Sequence, residues 1–273
     1  MLNHMGEKMI KRILISIIIP AYKQEKTIRD DLLRIKNALD QLRYDYEMIV
    51  VVDGFSDKTL EEAKKVKSSK INVFGYKNNH GKGYAIRYGM VRSKGEVIGF
   101  IDSGMDLNPN GLSMLLEHFE WYNADIIIGS KRHPVSKIDY PVGRKMISFL
   151  SQMFIMVLFG LKVRDTQVGM KFFKRKVVED VLPRLLVKKF AFDIEMLVVA
   201  HYLGYKRIFE APVEIDFDGK GSIVSQNLFK ELFLTFIDTL GIFYRLKLIK
   251  YYSNSSKRKW KYDSELNFRV NLP

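Results

Sequence analysis

Cysteine is absent from the 273 residues. That excludes disulfides and thiolate metal sites, and it fits a reducing compartment. No apolar stretch reaches the ~20 uncharged residues that a membrane crossing requires. The first apolar run, residues 13–19, is short and ends at Pro20, which argues against a secretory signal. Zinc-finger spacing, RNP-like aromatic motifs, solenoid periods and low-complexity tracts are all missing. Nucleic acid is therefore not an expected partner.

What the chain has in excess is positive charge. Lys and Arg number 45 against 31 Asp and Glu, a net charge of +14. Such an excess points to an anionic membrane surface or phosphorylated substrates. Hydrophobic residues at 47% and charged residues at 28% suit one large folded domain, with or without an appendage.

Strand and helix signals alternate along the first half. Residues 13–19 and 48–52 are β-branched and continuous, as buried parallel strands are. Between them Ile28, Leu32, Ile35, Leu39 and Leu42 recur at helical spacing. Ser56 is placed to cap a helix carrying Leu60, Ala63 and Val66. Residues 71–76 predict a weaker strand, and the loop from Asn78 to Gly83 leads into a helix through Ala85, Ile86 and Met90. Residues 97–101 predict a buried strand, Pro109 precedes a helix to about Trp121, and 125–129 predict a further strand. Later, 170–173 predict a short strand, and Asp193 caps or opens the helix after Phe190. This alternation implies an α/β fold with a mostly parallel sheet flanked by helices.

Asp53 and Asp102 both end predicted strands, and in open α/β sheets ligands bind at that edge. Asp106 follows Asp102 across Gly104. Two carboxylates there could share Mg²⁺ or Mn²⁺, and the cation could hold a diphosphate. The same letters also describe a strand running into an ordinary Asp/Gly turn.

Two stretches change the character of the second half. Residues 146–161 carry no charge and would span about 24 Å as a helix, short of the ~30 Å hydrocarbon core. Residues 228–252 are rich in Leu, Phe, Ile and Tyr, broken by Lys230, Glu231 and Asp238 on a narrow polar stripe. With basic flanks, both resemble helices lying in a membrane interface, so the chain is expected to be peripheral at the membrane surface. The alternative is a core or dimer contact, which keeps a homo-oligomer open. Lys257, Arg258, Lys259 and Lys261 form a basic tail, whose alternative is a solvated disordered end.

Taken together, these pieces resemble the family-2 glycosyltransferases of the GT-A (Rossmann-like) fold, and among them the polyprenyl-phosphate (dolichyl-phosphate) glucosyl- and mannosyltransferases. The matching residues are Pro20-Ala21-Tyr22 with Glu25, Asp53-Gly54 with Ser56-Asp57, and Asn79-His80-Gly81-Lys82-Gly83. Next come the Asp102 region, Ile128-Gly129-Ser130-Lys131, the run from Asp165 to Phe173, and Phe190 to Glu195, in the family's order over about 13–222. The resemblance implies a transferase domain over 1–222, including an apolar helix at 144–161, and an interface helix with a basic tail over 223–273.

It also implies roles. Pro20, Tyr22, Glu25 and Asp53 would contact the nucleoside, Lys82 the diphosphate, and Asp102 with Asp106 the metal. Asp165 and Gln167 would lie beside the transferred sugar. Lys131 and Arg132 would receive the acceptor phosphate, with Lys220 and Ser222 from the Gly219–Ile223 segment. The donor would be UDP-glucose or GDP-mannose, the acceptor dolichyl or polyprenyl phosphate, and the location the cytoplasmic face of a membrane. Departures from the family pattern are clear. Its Asp-x-Asp reads Asp102-Ser103-Gly104, and its Asp-Asp-Gly-Ser reads Val52-Asp53-Gly54-Phe55. The usual Arg after Gly-Ser is Lys131, and the lysine of a Gly-Ser-Lys is displaced to Lys220.

The implied reaction is an inverting hexose transfer. An acceptor phosphate is already ionised near neutral pH, since a monoester's second pKa is about 6. A strong base is then less necessary, and Asp165 is the candidate for that role or for positioning the sugar. A transferase with a sugar-hydroxyl acceptor and a nonenzymatic nucleotide-binding protein are the other classes left open.

Overall fold

A computed structural model describes residues 13–104, 107–136, 142–214, 228–256, 259–264 and 268–272. The chain runs β1 (Leu14–Ala21), α1 (Ile28–Asp40), β2 (Asp45–Asp53), α2 (Thr59–Lys65), β3 (Ile71–Tyr76), α3 (Lys82–Arg92) and β4 (Val97–Ile101). It continues with α4 (Gly111–Trp121), β5 (Ile126–Ser130), α5 (Val142–Phe159), β6 (Met170–Lys174) and α6 (Arg175–Val181). Then come α7 (Phe192–Tyr202), β7 (Ile208–Pro212), α8 (Leu228–Phe243), β8 (Lys259–Asp263) and β9 (Phe268–Leu272).

Seven strands form one sheet in the order β3-β2-β1-β4-β6-β5-β7. All are parallel except β6, which runs antiparallel to both β4 and β5. The continuous apolar runs follow from helices on both faces. Ile15, Ile17 and Ile19 pack with Ile28, Leu32 and Ile35 of α1 and Leu112 and Leu115 of α4. Ile18 turns to the other face, with Ala85, Ile86 and Met90 of α3 and Leu197 of α7. The expected strands and helices of the first half are present.

Three features differ from the sequence reading. Ser56 does not cap α2: the helix starts at Thr59, whose N–H donates to Asp57 Oδ1 at 3.0 Å. The carboxylate of Asp57, two residues upstream, takes that free donor instead. Edge strand β7 lacks a clear apolar alternation and was not expected. The basic tail forms part of an antiparallel pair, β8 with β9. Lys257 and Arg258 lie outside the described residues, as does the expected domain boundary at 222.

The last apolar stretch is helical to Phe243 and then widens, underwound, into a π-helical turn, Tyr244–Leu248. One buried carboxylate anchors that turn. Glu195, on α7 and fully buried, accepts from Tyr252 Oη at 2.5 Å and lies 3.4 Å from Arg245 Nη2. Its other oxygen accepts from the N–H groups of Leu186 and Val187 at 2.9 and 2.8 Å. Ile242, Leu246 and Tyr252 thus join the core with α7. Among the described residues, no helix is long and apolar enough to cross a membrane.

Asp31 carries a pH signature. It is 6% exposed in the first turn of α1, with Oδ2 unpartnered among the described residues. Burial raises its pKa to about 6, against a lowering hydrogen bond from Thr27 and the charge of Arg34. The folded pKa lies above the unfolded value, so the folded state holds this proton more tightly. That advantage is complete below the unfolded pKa and is lost as pH rises through about 6. Asp31→Asn should therefore stabilise the protein by about 1 kcal/mol near pH 7, after solvent screening, and by nothing near pH 4. Urea midpoints at the two pH values measure this.

Candidate active site

The site begins at the carboxyl end of β2. Asp53 is 3% exposed, and its carboxylate gathers the loop that precedes α3. Oδ1 accepts from His80 N at 2.8 Å, and Oδ2 from Gly81 N at 2.8 Å and Asn79 Nδ2 at 2.9 Å. A carboxylate offers about four lone-pair sites, so Oδ1 keeps capacity for one more donor. Gly81 has φ +101°, and a Cβ there would sit 2.8 Å from Lys188 O. Only glycine suits both the left-handed φ and the approach of the 188–189 backbone.

That loop delivers Lys82, the first residue of α3, to the end of β4. Its ammonium lies 2.8 and 2.9 Å from the two oxygens of Asp102 and 3.8 Å from Asp193 Oδ2. Burial works to lower the Lys82 pKa, but the two carboxylates outweigh it and the pKa is raised. Asp193 in turn binds Lys171 Nζ at 2.5 Å. The row Asp102–Lys82–Asp193–Lys171 alternates in sign and sums to zero.

Asp102 is fixed from behind as well. Its N–H donates to Gly169 O at 2.9 Å, and a Cβ on Gly169 would lie 1.9 Å from Asp102 Oδ2. The Ser103 hydroxyl sits 2.7 Å from Pro20 O and 2.5 Å from Gln24 Oε1, tying the ends of β4 and β1 together.

These groups open into a cavity of about 510 Å³, a size typical of small-ligand sites. Pro20, Tyr22, Asp53, Lys82 and Asp102 line it from the strand ends, and Lys230, Leu234 and Asp238 of α8 line it from above. Five of the expected residues therefore meet in one cavity. Glu25 does not join them: its carboxylate accepts from Lys58 N at 3.1 Å, beside the start of α2.

Asp165, Gln167, Lys131 and Arg132 form a second group at the end of β5. Asp165 accepts from Lys131 N and from Gln167 N, both at 3.2 Å. Arg132 reaches α5, donating to Ser148 O at 3.4 Å and to Gln152, with the Phe149 ring 5.5 Å away. Asp106, Lys220 and Ser222 lie outside the described residues. Sequence reasoning missed Lys171 and the α8 lining. The signal for Lys171 was a charge inside the apolar run Met170–Phe173.

Among the described residues no group of three or more acidic or histidine side chains could hold a metal. A closed protein cage is not required, because Mg²⁺ typically uses one or two carboxylates plus substrate phosphates and water. Asp102, whose side chain is 42% exposed at the cavity, fits that kind of ligand.

A profile of glycosyl transferase family 2 matches residues 16–182. The chain belongs to glycosyl transferase family 2. Curated relatives include the dolichyl-phosphate beta-glucosyltransferases of Homo sapiens, 32% identical over 69% of this chain and 63% of that protein, and of Dictyostelium discoideum, 28% identical over 71% and 64%. The chain thus spans just under two thirds of their length. Glucosyl-3-phosphoglycerate synthase from Mycobacterium tuberculosis, solved with Mn²⁺ and UDP, superposes with a TM-score of 0.63 at 20% identity, covering 96% of this chain and 87% of that one. The likeness shows the shared GT-A-like fold, and a further structure of that synthase contains Mg²⁺ and UDP.

Within this family-2 site, Gly169→Ala must displace the Asp102 carboxylate. Binding of a nucleoside diphosphate with Mg²⁺ should fall at least about tenfold, roughly 1.4 kcal/mol, with the far-UV circular dichroism unchanged. Calorimetric titration checks this.

Proposed function

We propose that this chain transfers glucose from UDP-glucose to the phosphate of dolichol or a related polyprenol, with inversion, while lying peripherally on the cytoplasmic face of a membrane. The observation that carries the reading is that α8 serves two surroundings. Lys230, Leu234 and Asp238 border the cavity, while Phe233, Phe236, Ile237 and Leu240 are exposed along the same helix. Beside it, α5 exposes Met146, Phe149, Leu150, Met153 and Val157 at helical spacing. The Phe154 and Phe236 rings stack at 5.1 Å, which joins the two helices into one apolar face. A soluble sugar donor beside an apolar face suits an acceptor held in lipid. The relatives' name specifies a dolichyl-phosphate acceptor and a β product, and from an α-linked donor a β product means inversion.

In this reading Asp53 accepts a base N–H with its remaining lone pair, and Lys82 holds the charge that grows on the leaving diphosphate. Asp102 would hold Mg²⁺ or Mn²⁺, which supplies Lewis-acid stabilisation of that same charge. Arg132, lying against α5 beside Phe149, sits at the border of the apolar face and suits a lipid phosphate. Lys131, with Lys220 and Ser222, completes the acceptor side. Asp165 holds the Lys131 and Gln167 backbones and so shapes the turn beside the sugar. An ionised phosphate attacks without a strong base.

The deciding assay incubates the protein and Mg²⁺ with radiolabelled UDP-glucose or GDP-mannose, and with polyprenyl phosphate or free polyprenol, followed by organic extraction. Label from UDP-glucose should enter the organic phase only with the phosphorylated lipid, and Asp102→Asn should abolish it. Equal use of the free alcohol would falsify the phosphate-acceptor reading in favour of a hydroxyl acceptor. For the membrane face, Phe149→Asp with Phe233→Asp should lose co-sedimentation with phosphatidylcholine–phosphatidylserine vesicles while UDP binding persists. A switch from dimer to monomer without loss of vesicle binding would instead mark this face as a contact between copies.

A further inference from the structure

Lys171 is 1% exposed in the middle of the sheet, on β6 between Phe100 of β4 and Ile128 of β5. Its strand neighbours Met170, Phe172 and Phe173 are fully buried and apolar. Taking an ammonium out of water costs several kcal/mol, and an apolar residue of similar length would pack there more cheaply.

The contacts indicate what it does. Lys171 Nζ binds Asp193 Oδ1 at 2.5 Å and donates to Val168 O at 2.5 Å. Asp193 is 3% exposed in the first turn of α7, and its other oxygen stops 3.8 Å from Lys82 Nζ. Lys82 instead rests at 2.8 and 2.9 Å from Asp102, at the cavity. The Phe100 ring lies within 5.1 Å of the Lys171 ammonium and 5.6 Å of that of Lys82. Asp193 thus faces two ammonium groups, and Lys171 has drawn it to the inner one. Without that inner charge, Asp193 would have a single cation to pair with, and Lys82 would be pulled inward, away from the diphosphate. The bond to Val168 O also steadies the turn whose Gly169 backs Asp102.

We propose that Lys171 is a positioning residue that holds Asp193 back from Lys82, so that the Lys82 ammonium stays at the cavity to receive the donor's diphosphate. The inference rests on the nucleotide-sugar reading above and adds to it a residue that touches no substrate.

The test titrates UDP with Mg²⁺ into wild type, Lys171→Met, Lys171→Arg and the double variant Lys171→Met with Asp193→Leu. Transfer kinetics run in parallel, and all measurements are made below every variant's melting transition. Lys171→Met should weaken UDP binding at least about tenfold and lower kcat/KM for the donor, with the acceptor KM within about twofold. Lys171→Arg, which keeps the charge and the hold on Asp193, should stay within a few-fold of wild type. In the double variant nothing competes with Asp102 for Lys82, so UDP affinity should recover to within about threefold. If Lys171→Met binds UDP as wild type does, or the double variant is as weak as Lys171→Met, the proposal is overturned. If Lys171→Met does not fold, Lys171→Gln keeps a donor to Asp193 without the charge: several-fold weaker binding supports the proposal, and unchanged affinity sinks it. Failure of the wild type to bind UDP would instead remove the nucleotide-sugar reading.

Discussion

Three hydrogen bonds to one carboxylate hold the strand-end wall of the cavity together. Asp53 ends β2, and the loop it gathers starts α3. Each charge-assisted bond contributes about 1.5–3 kcal/mol, enough to offset the roughly 1–2 kcal/mol of entropy lost per ordered residue in so short a loop. From that fixed loop follow the left-handed Gly81, the place of Lys82, and the approach of the 188–189 backbone. The sheet sets where Asp53 stands, and Asp53 sets where the next charge can stand.

Beyond that point the site is organised by cancellation of charge. Asp102 follows β4, while Lys82, Asp193 and Lys171 lie on α3, α7 and β6, so the row joins two parts of the chain. Each opposite pair reduces the cost of burying its neighbours, and removing one member leaves an uncompensated charge. The antiparallel strand is what makes the row possible. Because β6 is inserted between β4 and β5, its second residue projects into the space that α3 and α7 share.

Much of this was legible in the sequence. Uninterrupted β-branched runs at 13–19 and 48–52 announced a buried parallel sheet, and Asp53 and Asp102 marked its functional edge because each closes such a run. The parts that stayed hidden depend on long-range geometry. Lys171 reads as an outward residue of a strand, since period two cannot tell a solvated face from one covered by another helix. Glu25 sits in a matching motif, yet its carboxylate serves the start of α2, a choice fixed by the path of the chain after β1. Strand β7 carries edge-strand composition, and only pairing with β5 defines it.

The two-sided character of α8 has a consequence for how such a protein can change over time. Phe233 and Leu234, or Ile237 and Asp238, are sequence neighbours that answer to different surroundings. A one-residue insertion or deletion in this helix would rotate every later position by about 100° and turn both sides away from their surroundings at once. Length variation in α8 is therefore closed to drift, and change on either side must proceed by point substitution.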